Sequence, residues 1–425
     1  MTDKYRSDFK ILDQNLVYLD SAATSLKPKY VLDRMEEISG SYISTLSRGF
    51  GQNAENTEYL VNTTREKLAS FLGCLGGSNS IIFTPNATSA INLVAYGYVD
   101  RVLGTDGSIL VTNEEHHSNI LPWMRLVAKS FDRSLKIADI TKGNYLESVL
   151  SLIDDRVKLI SLSLVGNVYG RINLEDIKII IKEAHRRDIL VFVDAAQAPL
   201  SVKIDIKDLD LDFLVISSHK MFAIGNTGVL YVSDRIINDM LPAIIGGGTV
   251  SDLKIDVTSL ENSTLKVDIN TMDKIVTCFD NYHRFEIGTQ PVLDIISIGY
   301  AIDYIESIGV DKFHTINQEN LAYLIQRLKQ LDFVNLIEYP NSKEDRSLSS
   351  IISFNIKGIH CHDVGFLLGE KNICLRSGMQ CASLLLNSLK VPGCLRASLG
   401  IYNTQDDIDS LVEELTNIHI LFSKK

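Results

Sequence analysis

Residues 189–197 read ILVFVDAAQ, and residues 213–220 read FLVISSHK. Each is a short apolar run, rich in Val, Ile and Phe, that stops abruptly at polar residues. Apolar runs of this length without polar alternation predict strands covered on both faces. Three more follow the pattern: 108–112, 159–164 (LISLSL) and 228–232 (GVLYV). Between them lie amphipathic stretches such as 174–187, with Ile177, Ile180, Ile181 and Ala184 at helical spacing. Strand alternating with helix predicts an α/β fold on a mainly parallel sheet.

Outward from this core the pattern changes. Residues 249–283 are polar, irregular and rich in Asp, Ser and Thr, which predicts an inserted loop or flap. A helix over 291–307 then leads to helices at 315–330 and 362–368, a strand at 352–356 and a last helix from Asp406. A chain of 425 residues exceeds what one core holds, roughly 250–300 residues. The expected division is a large domain over 21–290, including the 249–283 insertion, and a smaller α+β domain over 291–425. An N-terminal segment, 1–20, is expected to pack with the smaller domain.

The formal net charge is -11, and no Lys/Arg block is present. An acidic chain without a basic face is not expected to bind nucleic acid. The first residues, MTDKYRSDFKILD, lack the apolar segment of a signal peptide, and no run of about 18 apolar residues predicts a membrane span. The expected location is cytoplasmic. Six cysteines are scattered without a CxxC pair or a zinc-like His/Cys spacing, so no metal is expected and the thiols should be reduced.

In an open parallel sheet, ligands bind beyond the carboxyl ends of the strands. At those ends lie Asp194 to Gln197, Ser218 to Lys220, and the turn Pro85–Asn86–Ala87–Thr88 before a helical INLVAYGYV. Taken singly these are an N-cap, a solvated lysine and a helix start. Taken together they suit pyridoxal 5'-phosphate. That cofactor needs a lysine amine, an acid for its ring nitrogen and a phosphate cradle at a helix N-terminus. The readings are Lys220, Asp194, and Thr88 with its neighbouring amides.

Nine collinear segments carry a wider likeness: YLDSAATSLKP, FTPNATSAINLVA, EHHSNILPW, VDAAQ, DFLVISSHKMF, GGGTV, RFEIGT, RSGMQCA and RASLGIYNT. In them the chain resembles the class V aminotransferase superfamily of fold-type I pyridoxal-phosphate enzymes, and among these the cysteine desulfurases of the sulfur-mobilisation type. The resemblance implies Lys220 as the Schiff-base lysine, Asp194 as partner of the ring nitrogen and Gln197 as donor to the ring hydroxyl. His117 is implied as the residue stacked on the ring. Ala87, Thr88, Ser217 and His219 are implied at the phosphate, with Thr289 reaching in from the partner subunit of a homodimer with shared active sites. Asn167, Arg376 and Arg396 are implied as substrate contacts, Arg396 suiting the α-carboxylate. Cys381 aligns with the nucleophile that takes sulfur from L-cysteine as a persulfide, releases L-alanine and passes the sulfur to an acceptor protein.

Some positions depart from that pattern. Met379 and Gln380 stand where the desulfurase loop usually has two histidines, and Gly51 stands where another histidine is expected. Ala223, Ile224, Gly225 and Asn226 replace a Gly-Pro-Thr-Gly run, and 249–283 is longer than the resemblance implies. Losing histidines removes candidate proton carriers. A divergent C–S lyase, epimerase or aminotransferase acting on an amino acid is therefore the alternative activity. A cofactor-stabilised scaffold is the non-enzymatic alternative.

Overall fold

The computed structural model describes residues 3–41, 43–46, 49–74, 76–255, 275–340 and 348–423. After a two-residue strand β1 (Val17–Tyr18), seven strands build the central sheet. They are β2 (Ile81–Thr84), β3 (Gly107–Thr112), β4 (Arg133–Ala138), β5 (Val157–Ser163), β6 (Leu190–Asp194), β7 (Phe213–Ser217) and β8 (Gly228–Val232). Their order is β2-β8-β7-β6-β5-β3-β4. All pairs from β7 to β4 are parallel, and β8 runs antiparallel to both its neighbours.

Unbroken apolarity has the expected cause. Along β6, Val191 and Val193 pack into one core, whereas Phe192 packs into the core on the opposite face. Both sides are covered, so alternation has nothing to select. Each such side chain contributes about 1.5–3 kcal/mol on burial. β4 escaped notice because its middle residues, Ser134 to Ile137, are only partly covered.

Register places the chemistry. Ser163, Asp194 and Val215 are aligned across β5, β6 and β7. Thr84, Gly228 and Ser217 are aligned across β2, β8 and β7. The chain therefore leaves β2 and β7 at the same edge, which sets the 85–88 turn beside Ser218–Lys220. Gly228 is needed for that approach: a Cβ there would lie 2.3 Å from the backbone carbon of Asn86.

Within 249–283, β9 (Val250–Leu253) pairs antiparallel with β10 (Val276–Cys278). The rest of the expected flap, 256–274, lies outside the described residues. Helix Val292–Ile308 buries Ile295, Ile296, Ile298, Ile302 and Ile305, packing on helices Lys29–Ser41 and Gln52–Phe71. The next helix, Val310–Lys329, begins five residues before the expected 315. Gly309 separates the two with φ +91.

A second, antiparallel sheet follows. β11 (Val334–Ile337), β12 (Ile351–Ile356), β14 (Arg376–Gly378) and β15 (Cys394–Ser398) are ordered β11-β12-β15-β14. Leu321, Leu324, Val364, Leu368, Ile408 and Leu411 supply its core from helices Val310–Lys329, Cys361–Gly369 and Gln405–Ser423. Arg376 and Arg396 are direct cross-strand partners. β1 pairs with β13 (Ile373–Cys374), and Asp20 bridges to Ser398. The N-terminal segment is thereby tied to this second sheet.

Candidate active site

A cavity of about 550 Å³ opens at the carboxyl edge of the central sheet, between it and β14 and β15. Ala87, Thr88, His117, Asn167, Asp194, Gln197, Ser217, His219, Lys220, Arg376, Cys381 and Arg396 all line it. Thr289 does not. It is exposed on the loop before helix Val292–Ile308.

Lys220 sits at the end of a short turn, Ser218–Lys220, that continues β7. Loss of hydration brings its ammonium down to about 8, against the pull of Asp194. Asp194 is buried at the end of β6, and burial pushes its carboxyl up while the Ala196 amide and Lys220 oppose this. The Ala196 N–H donates to Oδ1 at 2.9 Å. Gln197 is held by donation from Nε2 to the Ala22 carbonyl at 2.7 Å.

Helix Ala87–Val94 points its N-terminus into the cavity. Asn86 caps it, accepting from the Ser89 N–H at 2.9 Å. Thr88 and Ser118 hydroxyls lie 2.7 Å apart. Free N–H groups and hydroxyls at a helix start make an anion cradle. Opposite it, Arg396 is buried and donates to the Asn167 carbonyl at 3.2 Å.

Cys381 is exposed at the cavity mouth, on the short turn between β14 and helix Ser383–Ser388. Gln380 and Cys381 both have positive φ, +53 and +52. The His117 N–H donates to the Cys381 carbonyl at 2.8 Å, and the His117 ring lies 2.9 Å from the Ser383 hydroxyl. Among the described residues, no group of three or more His, Cys, Asp or Glu is placed to hold a metal ion.

The family profile described as Aminotransferase class-V matches residues 17–411. The chain belongs to the class-V aminotransferase family. A probable cysteine desulfurase of Streptomyces coelicolor is 34% identical over 99% of this chain and 98% of its own. One from Halalkalibacterium halodurans is 35% identical over 96% and 95%. The fold agrees. The cysteine desulfurase CsdA of Escherichia coli superposes with a TM-score of 0.85 at 26% identity, over 99% of both chains. An apo cysteine desulfurase of Thermococcus onnurineus gives 0.86 at 28% identity, over 98% of this chain and 97% of that one.

In this family member the departing positions have distinct fates. Gly51 lies outside the cavity, preceding helix Gln52–Phe71. Met379 and Gln380 line the cavity wall. Two contributors escaped sequence reasoning. His116 lines the cavity too, and burial, then the Lys220 and Arg396 charges, hold its imidazole down to about 4. Asp20 carries both arginines, with Oδ2 accepting from Arg376 and Oδ1 lying 3.5 Å from Arg396 Nη2. The doubled histidine was a visible signal for His116. For Asp20 there was none, because Arg376 is 356 residues away.

Proposed function

We propose that the chain is a pyridoxal-phosphate-dependent cysteine desulfurase, which moves the sulfur of L-cysteine onto Cys381 and releases L-alanine. The observation that carries this is the exposed Cys381 thiol in the same cavity as Lys220 and Asp194. The residues fit the cofactor. A carboxylate is buried with its hydrogen-bonded oxygen on the protein side, an amine is lowered by burial, and a helix start faces the same space. Lys220 would hold the group covalently, with Asp194 for its ring nitrogen, Gln197 for its ring hydroxyl, and Ala87, Thr88, Ser217 and His219 for its phosphate.

Bound there, pyridoxal phosphate supplies an electron sink for the pair left when the substrate's α-proton departs. Everything else falls to this chain's residues. Arg396, with Arg376 and Asn167 beside it, takes the α-carboxylate of the amino acid. Lys220, once the substrate's own amine has taken its place, is the free amine placed to remove and return protons, and burial brings its ammonium down to about 8. The Cys381 sulfur attacks the substrate sulfur. An S–S bond forms, the Cβ–S bond breaks, and its electron pair stays on carbon, which takes a proton. L-cysteine plus the Cys381 thiol becomes L-alanine plus the Cys381 persulfide, and no outside oxidant is needed.

Both adjacent histidines line the cavity, but they are held differently: His116 Nδ1 accepts from the Ser118 N–H of its own turn at 3.1 Å, whereas the His117 ring reaches Ser383 beyond Cys381 at 2.9 Å. We therefore assign the ring-face role to His116 in place of His117, and loop anchoring to His117.

The proposal extends to assembly. Thr289, exposed and outside its own chain's cavity, serves the site of the partner subunit in a homodimer. An exposed Cys381 suits transfer to a sulfur-acceptor protein. No helix of the described residues is long and apolar enough to cross a membrane, which is in keeping with a cytoplasmic location. The domain boundary is best placed at Gly309 instead of 291, since helix Val292–Ile308 packs with the large domain's helices.

The test is incubation of the yellow protein with L-cysteine. Alanine should appear with one persulfide per chain, and Cys381→Ser should keep the colour and lose both products. Full activity in Cys381→Ser would point instead to a C–S lyase, epimerase or aminotransferase.

A further inference from the structure

We infer that Gln380 is the positioning residue that locks the attacking thiol in place, its side-chain amide staking the 379–382 turn to the second sheet. This inference rests on the proposed desulfurase reading for its catalytic consequence, but its structural content stands apart from it.

Two successive non-glycine residues with positive φ are uncommon, because a Cβ crowds the backbone in the left-handed region. Such a turn persists only when its surroundings hold it. Gln380 is only 8% exposed, and its Nε2 lies 3.2 Å from the Cys394 carbonyl, 3.4 Å from that of Gly378 and 3.5 Å from that of Arg376. Its own main-chain carbonyl accepts from Asn167 Nδ2 at 2.7 Å. One step on, the Cys381 carbonyl accepts from the His117 N–H at 2.8 Å, and Ala382 N–H closes the turn on the Met379 carbonyl at 2.9 Å. The turn is thus held on both sides of the cysteine, with Gln380 supplying the side-chain link to β14 and β15.

Chemistry explains why an amide serves here. A primary amide turns two N–H donors toward a fan of carbonyls and does not titrate, whereas a neutral imidazole has one N–H donor on a rigid ring. Position 380 in this chain therefore holds Cys381 and moves no proton. Placement of a reacting atom matters steeply, a displacement of about 1 Å costing on the order of 100-fold in rate.

The experiment compares wild type with Gln380→Met, which keeps length and removes the donors, and with Gln380→Asn, which keeps the amide but shortens its reach and serves if the first variant does not fold. L-cysteine should perturb the cofactor absorbance of the variants at concentrations within about twofold of wild type, whereas single-turnover persulfide formation should fall roughly 10- to 100-fold. Hydrogen exchange across 376–383 should speed up in the variants, with the rest of the chain unchanged. Wild-type exchange in that segment, or wild-type persulfide formation in a folded variant, overturns the inference. If wild type itself forms no persulfide, the desulfurase reading fails, and the exchange comparison still decides the role of Gln380.

Discussion

Arg376 donates from both Nε and Nη2 to the same Asp20 oxygen, at 3.2 and 2.9 Å. The second oxygen of Asp20 faces Arg396 at 3.5 Å. One carboxylate thus orients two guanidinium groups, from neighbouring strands, toward one cavity. Asp20→Ala should free both and raise KM for L-cysteine about tenfold while kcat changes less. Steady-state alanine release decides it. A loss confined to kcat would place Asp20 in the chemical step instead.

Cys381 should be the first thiol to react. It is exposed, whereas Cys361 and Cys394 are buried, and burial pushes Cys74 up to about 12 and Cys394 up to about 11. Thiolate, not thiol, is the nucleophile. Iodoacetamide at pH 8 should label Cys381 at least about tenfold faster than any of the other five, by peptide mass spectrometry. Comparable labelling of Cys394 would contradict the burial assigned to it.

Glu114 should make stability depend on pH. It is buried behind the site against Gly166, where a Cβ would lie 1.9 Å from its Oε1. Among the described residues neither carboxyl oxygen has a partner at full hydrogen-bond geometry, and Asn173 and Arg171 offset its burial only in part. Burial, then the adjacent Glu115, raises its pKa from 4.5 to about 8. Between those values the native state keeps a proton that the unfolded chain has lost, so stability falls as pH rises across the window. Glu114→Gln should remove that slope and melt about 2–4 °C higher than wild type at pH 8.5, with little difference at pH 5. Parallel melting curves across pH 5–8.5 would show the carboxyl to be already ionised.

Gly228→Ala should loosen the cofactor. The added methyl would press on the Asn86 carbonyl and the Ala87 nitrogen at 2.3–2.6 Å, all backbone, at the start of the phosphate cradle. Dialysis should strip pyridoxal phosphate from the variant, with affinity reduced about tenfold or more. Undiminished retention would mean the 85–88 turn can shift without cost.

Much of the large domain was legible because its strands are buried on both faces, and five predicted runs fall on β3, β5, β6, β7 and β8. β4 was hidden by its half-exposed middle, and β1 and β13 by having only two residues each. In the site, Lys220, Asp194 and Thr88 announced themselves because a polar residue ending an apolar run is a local signal. Asp20, the side-chain hold of Gln380 and the reach of the His117 ring to Ser383 were not legible. Asp20 and His117 depend on partners 356 and 266 residues away, and Gln380 bonds carbonyls exposed by a turn and a strand pairing, none of which a local period or propensity encodes. The insertion was half-read: its flanks pair as β9 and β10, a contact between segments more than twenty residues apart that no local pattern announces.

The pairing of β1 with β13, and of Asp20 with the arginines of β14 and β15, has a consequence for synthesis. The first part of this site to leave the ribosome must wait for nearly the last. Until residue 396 has emerged, Asp20 lacks one of its two arginine partners.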